Sequence, residues 1–90
     1  MNKYDAEKLS ILMMQINSKM DQSAAFVRDK CTDSEFKEYR GKAGQVMGRV
    51  IDILHDIYEQ HPDLKPEQVG GTYKVDPEVF ESTFYRSKNV

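Results

Sequence analysis

The chain has 90 residues, a single cysteine, 31% charged residues and a net charge of −2 at pH 7. This length allows one domain with a core that is small for its surface, and a lone cysteine excludes an internal disulfide. The slightly acidic balance argues against general attraction to nucleic acid. Because no internal disulfide can stabilise so small a fold, association with a second subunit is the simplest way to reinforce it.

The N-terminal sequence is too broken for a secretion signal or a membrane span. Its first apolar run starts at Leu9 and is interrupted by Ser10 and Gln15. A membrane-spanning helix needs about 20 mostly apolar residues, and a signal peptide needs an uninterrupted apolar region. We therefore expect no contact with a membrane and a cytoplasmic location.

Residues 4 to 30 repeat apolar side chains at steps of three and four, which predicts an amphipathic helix. The repeating positions are Leu9, Met13, Ile16, Met20, Ala24, Val27 and Cys31. Ile11 and Met14 lie on the opposite side of the helical wheel. Because a helix that is apolar on two sides needs two neighbours, we expect Ile11 and Met14 to contact a second element or subunit.

The next residues predict a sharp helix start. Thr32 and Glu35 have the spacing of a capping box, and Cys31 and Phe36 that of a hydrophobic staple. A staple requires an apolar group at residue 31, so we expect the Cys31 thiol to be buried and unreactive. Since the link between the helices is this short, they should fold back on each other as an antiparallel hairpin.

A second helix is predicted over residues 33 to 60, where Pro62 ends it by keeping His61 out of the helical region. One apolar stripe consists of Phe36, Tyr39, Ala43, Val46, Val50, Ile53 and Ile57. A parallel stripe consists of Met47, Ile51, Leu54 and Tyr58. Together they form an apolar arc that is wider than one neighbouring helix covers.

Three glycines interrupt this helix, although each is up to ~1 kcal/mol less favourable there than alanine. Gly41, Gly44 and Gly48 fall on one flank of the apolar stripe, next to Ile51. Missing side chains let another helix approach more closely than the usual 8–10 Å. We interpret them as a helix-packing surface, with two alternatives: tolerated surface positions, or room for a ring of the chain's own tail such as Phe84. No phosphate-binding glycine pattern matches.

Residues 62 to 90 carry all three prolines and the pair Gly70-Gly71. Short helical turns are predicted from Pro66 to Val69 and from Pro77 to about Arg86, each with proline at its first position. The segment holds too many rings for a free tail, namely Tyr73, Phe80, Phe84 and Tyr85. We expect it to pack against the helices of this subunit or of a second one.

Polar side chains suggest little chemistry. Asp52, His55 and Glu59, with Asp56, could contribute to a metal site of the kind found in helix bundles, but a solvated acidic face is the simpler interpretation. The bases Lys37 and Arg40 flank one side of the stripe, whereas Lys42 and Arg49 flank the other, so they do not form one nucleic-acid-binding patch. No pattern of a catalytic nucleophile with its base is present.

These observations predict an all-α fold, with a long antiparallel hairpin over residues 1–61 and short helical segments over 62–90. Two copies should associate into a four-helix bundle through Ile11, Met14, Gly41, Gly44, Gly48 and Ile51. The expected function is a small non-catalytic protein-interaction module (adaptor, regulator or inhibitor) that forms a homodimer, binds another protein and uses no cofactor. The alternative is a metal- or small-ligand-binding bundle that uses Asp52, His55 and Glu59.

Overall fold

The computed structural model describes residues 1–88, which form two long helices and three short 3-10 turns. Helix α1 spans Lys3–Lys30 and helix α2 spans Asp33–Gln60. The turns follow at Pro62–Leu64, Glu67–Val69 and Pro77–Phe80. The two helices pack against each other as a hairpin, so the predicted all-α class is confirmed. None of these helices is long and apolar enough to cross a membrane.

Local signals set both ends of α2. The Thr32 hydroxyl accepts a hydrogen bond from the Glu35 amide at 3.1 Å, and the Glu35 carboxylate accepts one from the Thr32 amide at 3.0 Å. This is the predicted capping box, and it satisfies two main-chain donors that the helix itself leaves unpaired. At the other end, His61 caps α2 and Pro62 opens the next turn.

Cys31 lies at the end of α1 and is exposed, which corrects the prediction that it is buried. The reason is its position in the two-residue link, where α1 and α2 separate and no element of the described chain covers the turn. Phe36, the other member of the expected staple, is half-buried. Exposure removes the argument that the Cys31 thiol is inaccessible.

The best-buried cluster lies at the open end of the hairpin. It joins one residue from each of α1, α2 and the first turn, namely Ala6, Ile57 and Leu64. Leu9, Tyr58 and Tyr73 pack around them. Main-chain hydrogen bonds from Tyr73 to the Lys65 carbonyl and from Glu67 to the Tyr73 carbonyl, both 3.0 Å, close the loop that covers this cluster.

Helix α1 covers only part of the predicted apolar arc of α2. The buried residues of α2 are Ala43, Val50, Leu54 and Ile57. By contrast, Val46 and Ile53 of the predicted main stripe are 47% and 42% exposed, so α1 leaves this edge of the apolar arc uncovered. One neighbouring helix covers only a narrow arc of α2. The covered arc is centred between the two predicted stripes.

The C-terminal turns differ from the predicted ones. Pro66 precedes its turn as the cap instead of starting it, and a turn at Pro62–Leu64 was not predicted. The turn at Pro77 starts with proline as expected but ends at Phe80, well before Arg86. Beyond Phe80 the amides of Phe84 and Tyr85 donate to the Gln22 side chain, so they are not available for helical hydrogen bonds.

After Phe80 the chain runs along α1 in the same direction as that helix. Gln15 Nε2 donates to the Val79 carbonyl at 3.0 Å, and further along Tyr85 Oη and Ser87 Oγ donate to Asp29 Oδ2 at 2.6 and 2.7 Å. Phe26 stacks edge-on against Phe84 and Tyr85, with ring centroids 5.5 and 5.3 Å apart. The segment therefore packs on its own subunit; residues 89–90 of the predicted segment lie outside the described residues.

Candidate functional site: an uncovered face of helix α2

An open groove of about 870 Å³ lies between the second half of α2 and the C-terminal turns. Its apolar walls are built by residues from α1, α2 and the turns: Met14, Ile51, Leu54, Tyr58, Pro62, Pro66, Val69, Val75 and Phe80. The polar side chains that line it are His55, Glu59, Lys65 and Gln68, all exposed. We call this surface the α2 groove.

Two of the predicted interface residues meet in the α2 groove. Ile51 is 43% exposed, and Met14 from α1 is half-buried on the other side of the same groove. Ile11, three residues before Met14, is half-buried and does not line the groove. The structure thus joins Met14 to Ile51 and leaves Ile11 outside the site.

The three glycines continue this surface along α2. Successive residues of a helix are turned by about 100°, so Gly44, Gly48, Ile51 and His55, at steps of four, three and four, share one face. Gly41 lies beside them. A Cβ atom placed on any of the three glycines would find no heavy atom within 4 Å outside its own helix. We call this stripe, which joins the α2 groove at Ile51, the glycine face.

No ring of the tail occupies the glycine face. Phe84, the candidate named from the sequence, packs against Phe26 of α1 instead. The interpretation of the glycines as a seat for the chain's own tail is therefore wrong. What remains is either an open helix surface or a surface that a second molecule covers.

The acidic residues of α2 do not assemble a metal site in the single chain. Within residues 1–88, no three His, Cys, Asp or Glu side chains come together as possible ligands. Asp52 accepts a hydrogen bond from Arg49 at 3.4 Å, while His55 and Glu59 line the α2 groove. The sequence predicted that Asp52, His55 and Glu59 lie on a polar side of α2. It did not predict that His55 and Glu59 line a groove, because the opposite wall of that groove comes from C-terminal turns that are distant in sequence.

Shifted pKa values lie outside the glycine face. The Asp29 carboxylate accepts hydrogen bonds from Tyr85, Ser87 and Arg28, which lower its pKa to about 2. A hydrogen bond to Glu7, at 2.8 Å, raises the pKa of Tyr73 to about 12. In the α2 groove itself, burial raises the pKa of Tyr58 above its ordinary value of 10.0, so its hydroxyl, like that of a free tyrosine, is neutral at physiological pH. The groove can therefore bury apolar groups beside a neutral phenol.

Sequence reasoning missed the far wall of the α2 groove. Val69 and Phe80 end two of the C-terminal turns and Val75 lies in the link between them, and all three line the groove because this segment folds over the hairpin. The available signal was that these apolar residues lie within or beside the two predicted turns. No known protein family, curated protein or solved structure matches this chain.

Proposed function

We propose that the chain is a small non-catalytic protein-interaction module (adaptor, regulator or inhibitor) that acts as a helical homodimer. The observation that carries the proposal is the uncovered glycine face with Ile51 beside it, continuous with the α2 groove. Burying apolar surface of this kind is favourable by about 25 cal/mol per Å². Glycines additionally let the backbones of two helices come close, which increases the packing contacts between them.

The total surface of the molecule supports a partner. Its accessible area is 6599 Å², whereas surface scaling gives about 5,400 Å² for a folded monomer of 10.4 kDa. The excess of about 1,200 Å² exceeds the roughly 800 Å² that each subunit buries in a standard interface. The molecule measures 44 × 24 × 21 Å, an elongated shape that exposes much surface for its volume.

Sedimentation equilibrium from micromolar to millimolar chain concentration tests the proposal. We expect a mass of two chains that falls to one chain on dilution. Replacing Gly44 and Gly48 with leucine should abolish the dimer while circular dichroism shows that the helices persist, since open space surrounds both positions in the single chain. Lys42→Leu adds a similar side chain to the opposite flank of α2 and serves as the control. A single-chain mass at every concentration would refute the proposal.

A further inference from the structure

We infer that two copies pair through antiparallel α2 helices, with Gly48 of both copies at the twofold axis. The inference rests on the proposed homodimer and adds its orientation and register. In an antiparallel pair related by such an axis, a residue that lies a given number of positions before Gly48 faces the residue the same number after Gly48 in the partner subunit. The charges along the glycine face fit this rule, and the side-chain sizes fit it to within one residue.

Side-chain size is the first argument. Gly41 lies seven residues before Gly48, and His55 lies seven after it. Gly44 lies four residues before Gly48, and Ile51 lies three after it. Antiparallel pairing therefore places His55 over Gly41 of the other copy and Ile51 within one residue of its Gly44. Parallel pairing in register would instead set Ile51 against Ile51, and these two side chains would hold the facing glycines apart. Close packing favours the first arrangement.

Charge is the second, independent argument. Lys37 lies eleven residues before Gly48 and Glu59 eleven after it, so antiparallel pairing joins them twice across the interface. Neither side chain makes an ion pair within residues 1–88. Four other charges of α2 pair within the helix, because Lys42 contacts Glu38 and Arg49 contacts Asp52, each at 3.4 Å. Parallel pairing in register would instead bring Lys37 against Lys37, which is unfavourable.

All these residues point in a common direction. At about 100° per residue, Lys37, the three glycines, Ile51, His55 and Glu59 fall within an arc of about 80°. The same pairing lays the first half of one α2 over the α2 groove of the other copy. The stem of Arg40 lies on the groove side of that half, where it can cover apolar surface while its guanidinium group reaches water.

Disulfide cross-linking tests the orientation, in a Cys31→Ser background so that each chain carries one chosen cysteine. Gly48→Cys should form a covalent dimer on mild oxidation, because its copies meet at the axis. Gly41→Cys should not, because its copies lie about 21 Å apart along the helices. A mixture of the Gly41→Cys and His55→Cys chains should give the mixed dimer. Efficient cross-linking of Gly41→Cys to itself would overturn the inference.

Charge exchange tests the register without cysteines. Lys37→Glu should weaken the dimer about tenfold, because two attractive contacts become repulsive. Adding Glu59→Lys to the same chain should restore the dimer, and Lys42→Glu, on the other flank, is the control that should leave it unchanged. A dimer that the double exchange does not restore would overturn the register but not the proposed homodimer. A single-chain mass for the unmodified protein would refute both.

Discussion

At the scale of single residues, the five glycines fall into two groups with opposite roles. Gly70 has a φ of 89°, a left-handed conformation that side chains disfavour, and a Cβ on Gly71 would collide with the Lys65 carbonyl. These two glycines shape the loop that covers the core. Gly41, Gly44 and Gly48, in contrast, lie in regular helix with open space around them.

Alanine substitution should therefore change the free energy of unfolding in opposite directions in the two groups of glycines. Gly71→Ala should lower the free energy of unfolding by about 1–3 kcal/mol, because the loop must move to relieve the collision. Gly41→Ala should raise it by up to ~1 kcal/mol through helix propensity. Urea unfolding at concentrations where the protein is a single chain measures both. Stabilisation by Gly71→Ala would contradict the loop geometry.

The Tyr73–Glu7 hydrogen bond joins that loop to α1, and its contribution to the free energy of unfolding depends on pH. The folded pKa of Tyr73, about 12, is raised above its ordinary value of 10.0. The contribution is thus complete below about pH 10 and is lost as the pH rises from about 10 to about 12. Tyr73→Phe should lose about 1 kcal/mol at neutral pH. The difference in unfolding free energy from the unmodified protein should shrink above pH 10, whereas Tyr4→Phe, an exposed control, should show no such difference.

At the scale of elements, the tail is held on α1 by polar residues spaced seven apart. Gln15, Gln22 and Asp29 lie on one face of α1 and together bind main-chain and side-chain groups between Val79 and Ser87. Phe26, on the same face, adds ring contacts. A tail bound mainly by side-chain hydrogen bonds should open more easily than the helices.

Asp29→Ala should release the end of the tail and leave the hairpin intact. Its carboxylate accepts both the Tyr85 and Ser87 hydroxyls, so the amides of Phe84 and Tyr85 should exchange hydrogen faster in the variant. In the unmodified protein the same release should occur as the pH falls from about 3.8 towards about 2, because that range protonates Asp29. Asp21→Ala, at an exposed position of the same helix, is the control. Unchanged exchange in Asp29→Ala would contradict the anchor.

At the scale of the whole molecule, two apolar flanks of α2 remain uncovered. Val46 and Ile53 form one flank, and Ile51 with the glycine face forms the other. The tail beyond Phe80 covers neither flank, because its hydrogen bonds are to side chains of α1. The Ile51 flank continues into the α2 groove and carries the charge pattern that fits a second copy.

Matched substitutions on the two flanks should separate their roles. Ile51→Glu should prevent self-association, since it would place a charge over the glycines of the partner subunit. Ile53→Glu introduces the same side chain at an almost equally exposed position and should leave the dimer intact. Light scattering at a concentration where the unmodified protein is dimeric measures both. Equal loss in the two variants would contradict assignment of the dimer to the Ile51 flank.

Local sequence determined the two helices and their ends. The capping residues Thr32 and Glu35, the block at Pro62 and the steps of three and four act over a few positions, so they can be read along the chain. The predicted helices over 4–30 and 33–60 correspond to Lys3–Lys30 and Asp33–Gln60 in the structure. The dimer surface, in contrast, stays a prediction.

Only the tertiary structure decided which apolar residues are covered. The sequence marks a wide apolar arc on α2, but the angle at which α1 packs selects Ala43 and Val50 for burial and leaves Val46 and Ile53 outside. It also left Cys31 exposed and directed the tail to α1 instead of the glycines. These outcomes depend on contacts between residues far apart in sequence. The periodicity of a single helix shows which residues are apolar on each face, but not which neighbouring segment packs against that face.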